Sequence, residues 1–260
     1  MNTCSCPIEY ISEMRGGLRY CNHCRTVVDI DVAEKKKYRP PSELILPPPS
    51  VPLTEKMWNI VSPWPNIQFD IAKKYQFYLS TNVCSSPITH IVMPIFRGGV
   101  PVFWQARLSK VWSGKNVHKK YCSSIGFKKQ YWLSSESVKQ QDQQSQYEAV
   151  KQNDKTKNKN DVVFIAEGIA DAAHLSSIGD AVALLGLSYD GSLNGGISAI
   201  PQTKKVVIFF DGDEVGKFNS FKVASKFGSH NTTIIFGDEN KDPTDYTVDE
   251  LRELCLKYGI

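Results

Sequence analysis

Beyond residue 161 the chain alternates short, continuously apolar runs with segments of helical period. Val162-Val163-Phe164-Ile165 predicts a buried strand, residues 170–178 (ADAAHLSSI) a short helix, and Ala181–Leu185 a second strand. A third strand is predicted over Val206–Phe210, a helix over Gly216–Phe227 and a fourth strand over Thr232–Phe236. Strands that are apolar at every position are covered on both faces, so this alternation predicts an α/β layer with a mostly parallel sheet. Upstream, residues 87–108 (PITHIVMPIFRGGVPVFWQARL) read as two apolar strands joined by a turn at Gly98-Gly99. No internal repeat is visible.

Two polar stretches interrupt these patterns. Residues 34–54 (EKKKYRPPSELILPPPSVPLT) hold six prolines. Proline favours extended polyproline II, so this stretch reads as a semi-rigid tether. Residues 139–160 (KQQDQQSQYEAVKQNDKTKNKN) are rich in Gln, Lys and Asn, as in a solvated helix or a disordered connector. The expected organisation is a cysteine-rich module over 1–33, the linker over 34–54, a subdomain over 55–138, the connector over 139–160 and the α/β domain over 161–260.

Charge sharpens that division. The net charge of +4 hides two opposed regions. Residues 61–134 carry ten Lys/Arg and one Asp, a net of +9, whereas residues 161–260 carry eight Lys/Arg and fifteen Asp/Glu, a net of −7. A basic middle beside an acidic end suggests a polyanion partner facing a metal-binding or acidic site. No apolar run approaches the roughly 20 residues that span a bilayer. Met1-Asn2-Thr3-Cys4 does not open a secretory signal, so a cytoplasmic protein without a membrane partner is expected, in a bacterium or in a phage's host.

Seven cysteines, an odd number, favour metal binding over a disulfide framework in such a compartment. Cys4, Cys6, Cys21 and Cys24 have the inventory of a four-thiolate zinc site, with Gly16-Gly17 where a ribbon would reverse. The one-residue spacer between Cys4 and Cys6 leaves His23 as a possible substitute ligand. A segment of roughly 35 residues is too small for a core of its own, so one structural zinc ion would supply its folding energy. Cys84, Cys122 and Cys255 are scattered singly and read as ordinary thiols.

Three acidic clusters each follow an apolar strand. They are Glu167-Gly168-Ile169-Ala170-Asp171, Asp211-Gly212-Asp213-Glu214-Val215-Gly216 and Asp242-Pro243-Thr244-Asp245. Any one of them is explained as a surface turn. Three at successive strand ends match the place where open parallel sheets bind ligands. Glycines there let backbone and phosphate approach closely. Asp211 and Asp213 are spaced to face one hard cation such as Mg²⁺, which takes one or two carboxylates plus waters and substrate phosphates.

Glu-Gly-x-x-Asp after one strand, followed by Asp-Gly-Asp-x-x-Gly after a later one, resembles the Toprim domain over about residues 161–255. That fold is shared by primases, type IA and II topoisomerases, RecR and some nucleases. Upstream, His90-Ile91-Val92-Met93-Pro94-Ile95, Gln105-Ala106-Arg107 and Lys119-Lys120-Tyr121 resemble the basic subdomain of DnaG-type and phage primases. Those primases usually carry a basic residue where His90 stands, and the second acid of the third cluster usually comes one position before Asp245. The order of zinc ribbon, tether, basic subdomain and Toprim is the primase order. The resemblance implies an α/β fold: a small zinc ribbon, then a catalytic core made of a mixed α+β basic subdomain and a Toprim domain. It implies Glu167, Asp211 and Asp213 as catalytic residues. Glu167, Asp171, Asp211, Asp213 and Asp242 become ligands of Mg²⁺ or Mn²⁺, two ions being expected. Arg107, Lys119, Lys120 and Tyr121 are implied to bind nucleic acid or nucleotide.

The expected activity is DNA-directed RNA polymerisation of the primase type, making short RNA primers on single-stranded DNA from nucleoside triphosphates. The basic segment supplies phosphate neutralisation. Among its aromatics Phe103, Trp104, Trp112, Tyr121, Phe127, Tyr131 and Trp132, most are expected in the core and Trp112 or Tyr121 at the cleft. Metal ions would neutralise the transferring group and align the attacking 3′-hydroxyl. No Gly-x-x-x-x-Gly-Lys-Ser/Thr loop is present, so a replicative helicase partner is expected to be a separate protein. The alternatives are a RecR-like, non-enzymatic DNA-binding protein and a Toprim nuclease. The former places a helix-hairpin-helix before its zinc site, for which Cys4 leaves no room, and lacks counterparts of Arg107 and Lys120-Tyr121. The latter needs neither ribbon nor tether.

Overall fold

The computed structural model describes residues 11–13, 19–21, 27–28, 44, 46–48, 53–81, 83, 89–111, 121–124, 131–134, 162–185, 197–198, 200–201, 204–227 and 231–260. The chain divides into two compact units, Met1–Leu44 with Ser124–Phe127, and Ile45–Ser123 with Lys128–Ile260. The first holds three short antiparallel strands in sequential order, β1 (Ile11–Glu13), β2 (Arg19–Cys21) and β3 (Val27–Val28). Cys21 ends the middle strand and pairs with Ile11. Cys4, Cys6, His23 and Cys24 lie outside the described residues.

The boundary between the units falls within the proline-rich segment, at Leu44 and Ile45. Pro47 is buried in the second unit, where its carbonyl accepts a 2.9 Å hydrogen bond from the Tyr78 hydroxyl. The later part of the tether therefore packs, because an extended proline carbonyl is a ready acceptor for a neighbouring hydroxyl.

The second unit opens with α1 (Glu55–Val61), capped by Thr54, and α2 (Phe69–Lys74). An antiparallel sheet follows in sequential order, β4 (Tyr78–Ser80), β5 (His90–Arg97), β6 (Val100–Leu108) and β7 (Tyr121–Ser123). The β5–β6 turn forms where the sequence places it. Gly98 and Gly99 have φ of +56° and +78°, the left-handed region a two-residue hairpin loop requires. Directly opposed residues share a face, so Ile91, Arg107 and Tyr121 lie on one side with Met93, Gln105 and Ser123. His90 opposes Leu108 on the other side and is buried.

The other sheet combines β8 (Trp132–Leu133), β9 (Val162–Ala166), β10 (Asp180–Ala183), β11 (Lys205–Phe209) and β12 (Thr232–Ile235) in the order β12-β11-β9-β10-β8. All neighbours are parallel except β8, an antiparallel edge. Helix α3 (Ile169–Leu175) connects β9 to β10 on one side, and α4 (Glu214–Ala224) connects β11 to β12 on the other. Adjacent strands β9 and β11 thus send their connections in opposite directions, which opens a crevice at their carboxyl ends. A core of Val163, Ile165, Val182, Val206, Ile208 and Phe210 closes against Val223 and Phe227. A short 3₁₀ helix (Pro243–Asp245) and α5 (Val248–Lys257) end the chain.

Helix α4 starts at Glu214, two residues before its predicted start. Asp213 is its N-cap, accepting the Gly216 N–H at 2.7 Å, and this cap extends the helix ahead of the apolar pattern. The second predicted strand ends early because Leu185 turns into φ +55°, although Leu184 and Leu185 still donate to the carbonyls of Ala166 and Glu167.

The two sheets of this unit are tied together. Trp132 of β8 meets Tyr75 edge-on at 4.8 Å, and the Tyr75 hydroxyl bonds Ser176 at 2.8 Å. Asn66 Nδ2 donates to the Thr244 carbonyl at 3.0 Å. Phe103, Trp104 and Trp132 are core residues as expected, Tyr121 is exposed, and Trp112 and Phe127 lie outside the described residues. Among the described residues no helix is long and apolar enough to cross a membrane.

Candidate active site

The acidic clusters meet at the crevice between β9 and β11. Glu167 follows β9 directly, and Asp171 lies in the first turn of α3. Gly168 leaves room for the Asp171 carboxylate, since a Cβ there would lie 2.8 Å from Asp171 Oδ2. Asp211 and Asp213 flank Gly212 just beyond β11.

The glycines of Asp-Gly-Asp-x-x-Gly let backbone approach closely, as expected. A Cβ at Gly212 would lie 2.0 Å from the Asp238 carbonyl oxygen, and one at Gly216 would lie 2.1 Å from that of Asp211. The Gly212 N–H also donates to the Lys241 carbonyl at 2.8 Å. Both glycines admit neighbouring protein backbone. Gly212 seats the Asp211–Asp213 turn against the loop after β12, and Gly216 seats the start of α4 against Asp211.

Asp242 and Asp245 form a capping box. Asp242 Oδ1 accepts from Thr244 N at 2.9 Å and from the Thr244 hydroxyl, and Asp245 Oδ2 accepts from Asp242 N at 2.9 Å. Asp245 is thereby engaged in closing its own turn.

These carboxylates lie in one another's field. Burial pushes Glu167 up to about 7, reinforced by Asp211 and Asp213 and opposed by a hydrogen bond from Asn219. Asp211 reaches solvent yet is crowded enough to be pushed up to about 6, by desolvation first and then by Asp242, Asp213 and Asp245, against Arg107. Desolvation, Asp242 and Asp211 hold Asp171 well above the usual carboxylate range, with Arg107 opposing. Mutual repulsion among partly buried acids is the condition a divalent cation relieves. Among the described residues no three His, Cys, Asp or Glu side chains close into a ready-made metal-ligand group. The oxygen-only donor set nevertheless fits Mg²⁺, which needs only one or two carboxylates when waters and phosphates complete its shell.

Arg107 faces these acids from β6. Its guanidinium lies 5.2 Å from the Trp64 ring centroid and 5.0 Å from that of Tyr121, and Nη1 donates to the Tyr121 hydroxyl. Protein around Tyr121 raises its hydroxyl to about 12, with Asp171 adding to the rise and Arg107 opposing it. The structure therefore brings Glu167, Asp171, Asp211, Asp213, Asp242, Arg107 and Tyr121 together. Lys119 and Lys120 lie outside the described residues.

Two contributors escaped the sequence reading. Trp64 is buried between Trp58 and Phe77 and lies against Arg107. Asn219, on α4, supports Glu167. Nothing local marks either residue: one sits in a Pro-flanked loop, the other is a polar helix position five residues after Glu214.

No protein-family model and no curated protein matches the chain by sequence. Among solved structures, the primase fragment of the bacteriophage T7 primase-helicase protein aligns with 96% of this chain and 94% of its own, at 11% identity and a TM-score of 0.50. The Aquifex aeolicus primase fragment with zinc-binding and RNA polymerase domains aligns with 77% of this chain at 16% identity and a TM-score of 0.48, and the match spans about half, 54%, of that chain. A structure of bacteriophage T7 lagging-strand DNA polymerase interacting with primase domains of two gp4 subunits, bound to an RNA/DNA hybrid and dTTP, matches at 12% identity and a TM-score of 0.46, over 75% of this chain and 88% of that one. The fold built around these facing acidic and basic walls is thus shared with the primase fragment of the bacteriophage T7 primase-helicase.

Proposed function

We propose that this chain is a DNA primase, synthesising short RNA primers on single-stranded DNA by metal-dependent nucleotidyl transfer. The observation that carries this reading is the confrontation of Arg107 and Tyr121 on an antiparallel sheet with carboxylates at the switch point of a parallel one. A cation-bearing wall opposite a metal-seeking wall is what joining two polyanionic reactants requires.

Glu167, Asp211 and Asp213 would hold Mg²⁺ or Mn²⁺, with Asp171 and Asp242 completing the acidic surround of a Toprim domain. The bound cations supply charge neutralisation at the transferring phosphoryl group. Arg107 binds a phosphate of template or triphosphate, and Trp64 and Tyr121 hold its guanidinium in place. Asn219 orients the Glu167 carboxylate by hydrogen bonding. Lys119 and Lys120 add positive charge just before β7. Cys4, Cys6, Cys21 and Cys24 bind one structural zinc ion in a ribbon that selects where on the template synthesis starts. Such an enzyme would work beside a replicative helicase, with the cytoplasm as its site of action.

The test is incubation with single-stranded DNA, labelled nucleoside triphosphates and Mg²⁺ or Mn²⁺. Oligomer synthesis that disappears in Glu167→Gln supports the reading. Strand cleavage would redirect it to a nuclease, and binding without either reaction to a RecR-like repair protein.

A further inference from the structure

A cavity of about 200 Å³ is lined by Phe103, Gln105, Tyr121, Cys122, Ser123 and Leu185. Strand register explains its position. Gln105 opposes Ser123 just as Arg107 opposes Tyr121, two residues further along. Residues two apart share a face and stand roughly 7 Å apart, so Gln105 is one step from Arg107. The facing wall is Leu185, whose N–H donates to the Glu167 carbonyl at 2.9 Å. The cavity therefore adjoins both the cationic and the acidic wall.

Its lining is selective in kind. Phe103, Tyr121 and Leu185 offer apolar surface, and Gln105 offers one amide. Gln105 Oε1 is buried with no hydrogen-bond partner among the described residues. An orphaned acceptor of that kind is destabilising, and a ligand donor offsets its cost. An amide can also present either its oxygen or its NH₂ to a ligand. The size is selective too. An apolar cavity of about 150 Å³ holds benzene, so the space here suits one planar heterocycle and excludes a whole nucleotide.

We propose that this cavity receives the base of a nucleotide whose phosphates lie at Arg107 and the carboxylates, with Gln105 bonding the base edge. The exposed Tyr121 ring offers a face on which the base stacks, and the amide takes its polar rim. The assignment rests on the primase reading, which supplies the nucleotide. It goes further by naming the residue that contacts the base.

Equilibrium binding with Mg²⁺ decides it, using the full chain and two probes, each nucleoside triphosphate in turn and ribose 5′-triphosphate, which lacks a base. Wild type should bind the nucleotides about tenfold or more tighter than the abasic probe. Gln105→Leu should shrink that ratio by about three- to tenfold, the scale of one lost hydrogen bond. Ser123→Trp, which fills the cavity, should bring the ratio close to one. The abasic probe should bind both variants as it binds wild type. If Ser123→Trp fails to fold, the near-isosteric Gln105→Leu decides alone. A wild-type ratio near one, or a ratio that neither variant moves, overturns the assignment. Primer synthesis by wild type with an insensitive ratio overturns the cavity alone. A wild type that neither binds the probes nor makes primers overturns the primase reading as well.

Discussion

The two walls of the cleft are built by different means. The acidic wall is held by backbone. Gly212 and Gly216 lie against peptide carbonyls, Asp213 caps a helix, and Asp242 and Asp245 close a turn on each other. The basic wall is held by side chains. Arg107 is positioned by stacking with Trp64 and Tyr121, residues brought from a loop and a neighbouring strand. Backbone crowding is nearly all-or-none, whereas stacking is individually weak and adjustable. The acidic side should therefore fail abruptly when altered and the basic side by degrees.

The most severe failure is expected in the chemistry of the acidic wall. Glu167→Gln and Asp211→Asn should lower primer synthesis by about a thousandfold, the scale of losing an electrostatic group at the reacting centre. DNA binding should persist or tighten, because each change removes negative charge near phosphate. Synthesis within a few-fold of wild type in either variant, measured with labelled nucleotides, would remove these acids from the mechanism.

Next comes the backbone itself. Gly212→Ala forces a methyl group into the Asp238 carbonyl, 2.0 Å from the new Cβ, so urea unfolding should show a loss of stability. A loss of about 2–4 kcal/mol is expected. Tyr121→Leu, made for contrast at the exposed partner of Arg107, should leave an active protein with weakened phosphate binding. Comparable stability losses from Gly212→Ala and Arg107→Ala would break the distinction between the walls.

Loss of zinc should be confined to the first unit. Cys21→Ser should drop bound zinc from close to one per chain to near zero and abolish initiation at preferred template sites. A supplied primer should still be extended. Metal analysis alongside initiation assays on templates of different sequence checks both halves. Unchanged start sites would move the ribbon's role to partner binding.

The pH response of the acidic wall follows from the raised carboxyl groups. Glu167 is near 4.5 when unfolded and about 7 when folded, so between those values the folded state holds more proton. Stability without divalent cation should therefore fall as pH rises through that window. Asp211, rising from 3.8 to about 6, adds in the same direction. Denaturant titrations at several pH values should show this slope, and Mg²⁺ or Glu167→Gln should flatten it. A slope of opposite sign would mean that the acids are not repelling one another.

The gentlest effect belongs to the basic wall. Arg107→Ala or Lys120→Ala should each reduce the log–log salt slope of single-strand binding by roughly 0.7, one phosphate contact. An unchanged slope in both would leave these residues as solvated charges.

How far the sequence disclosed each wall follows the same division. The acidic motifs were legible because their geometry depends on neighbours two to five positions away, so Glu167, Asp171, Asp211 and Asp213 could be placed at strand ends before any fold was known. The parallel sheet was legible because doubly covered strands must be apolar throughout. The purpose of Gly212 was not, because the carbonyl it meets belongs to Asp238, beyond the end of the neighbouring strand β12 and far along the chain. Trp64 was opaque for the same reason: its partner Arg107 comes from a strand whose register is fixed only when the sheet forms. The premature stop of β10 was also hidden, since a leucine in left-handed backbone has no sequence signature.

The hydrogen bond from Asn66 to Thr244 joins residues 178 positions apart. During synthesis, everything needed to present Arg107 leaves the ribosome long before the turn that holds Asp242. The basic wall must wait, uncovered, for its counterpart. At about 5–20 residues per second, that interval is on the order of ten seconds or more. On the proposed function, a nascent chain in this state would present its cationic face to nucleic acid well before it has a cleft in which to act on it.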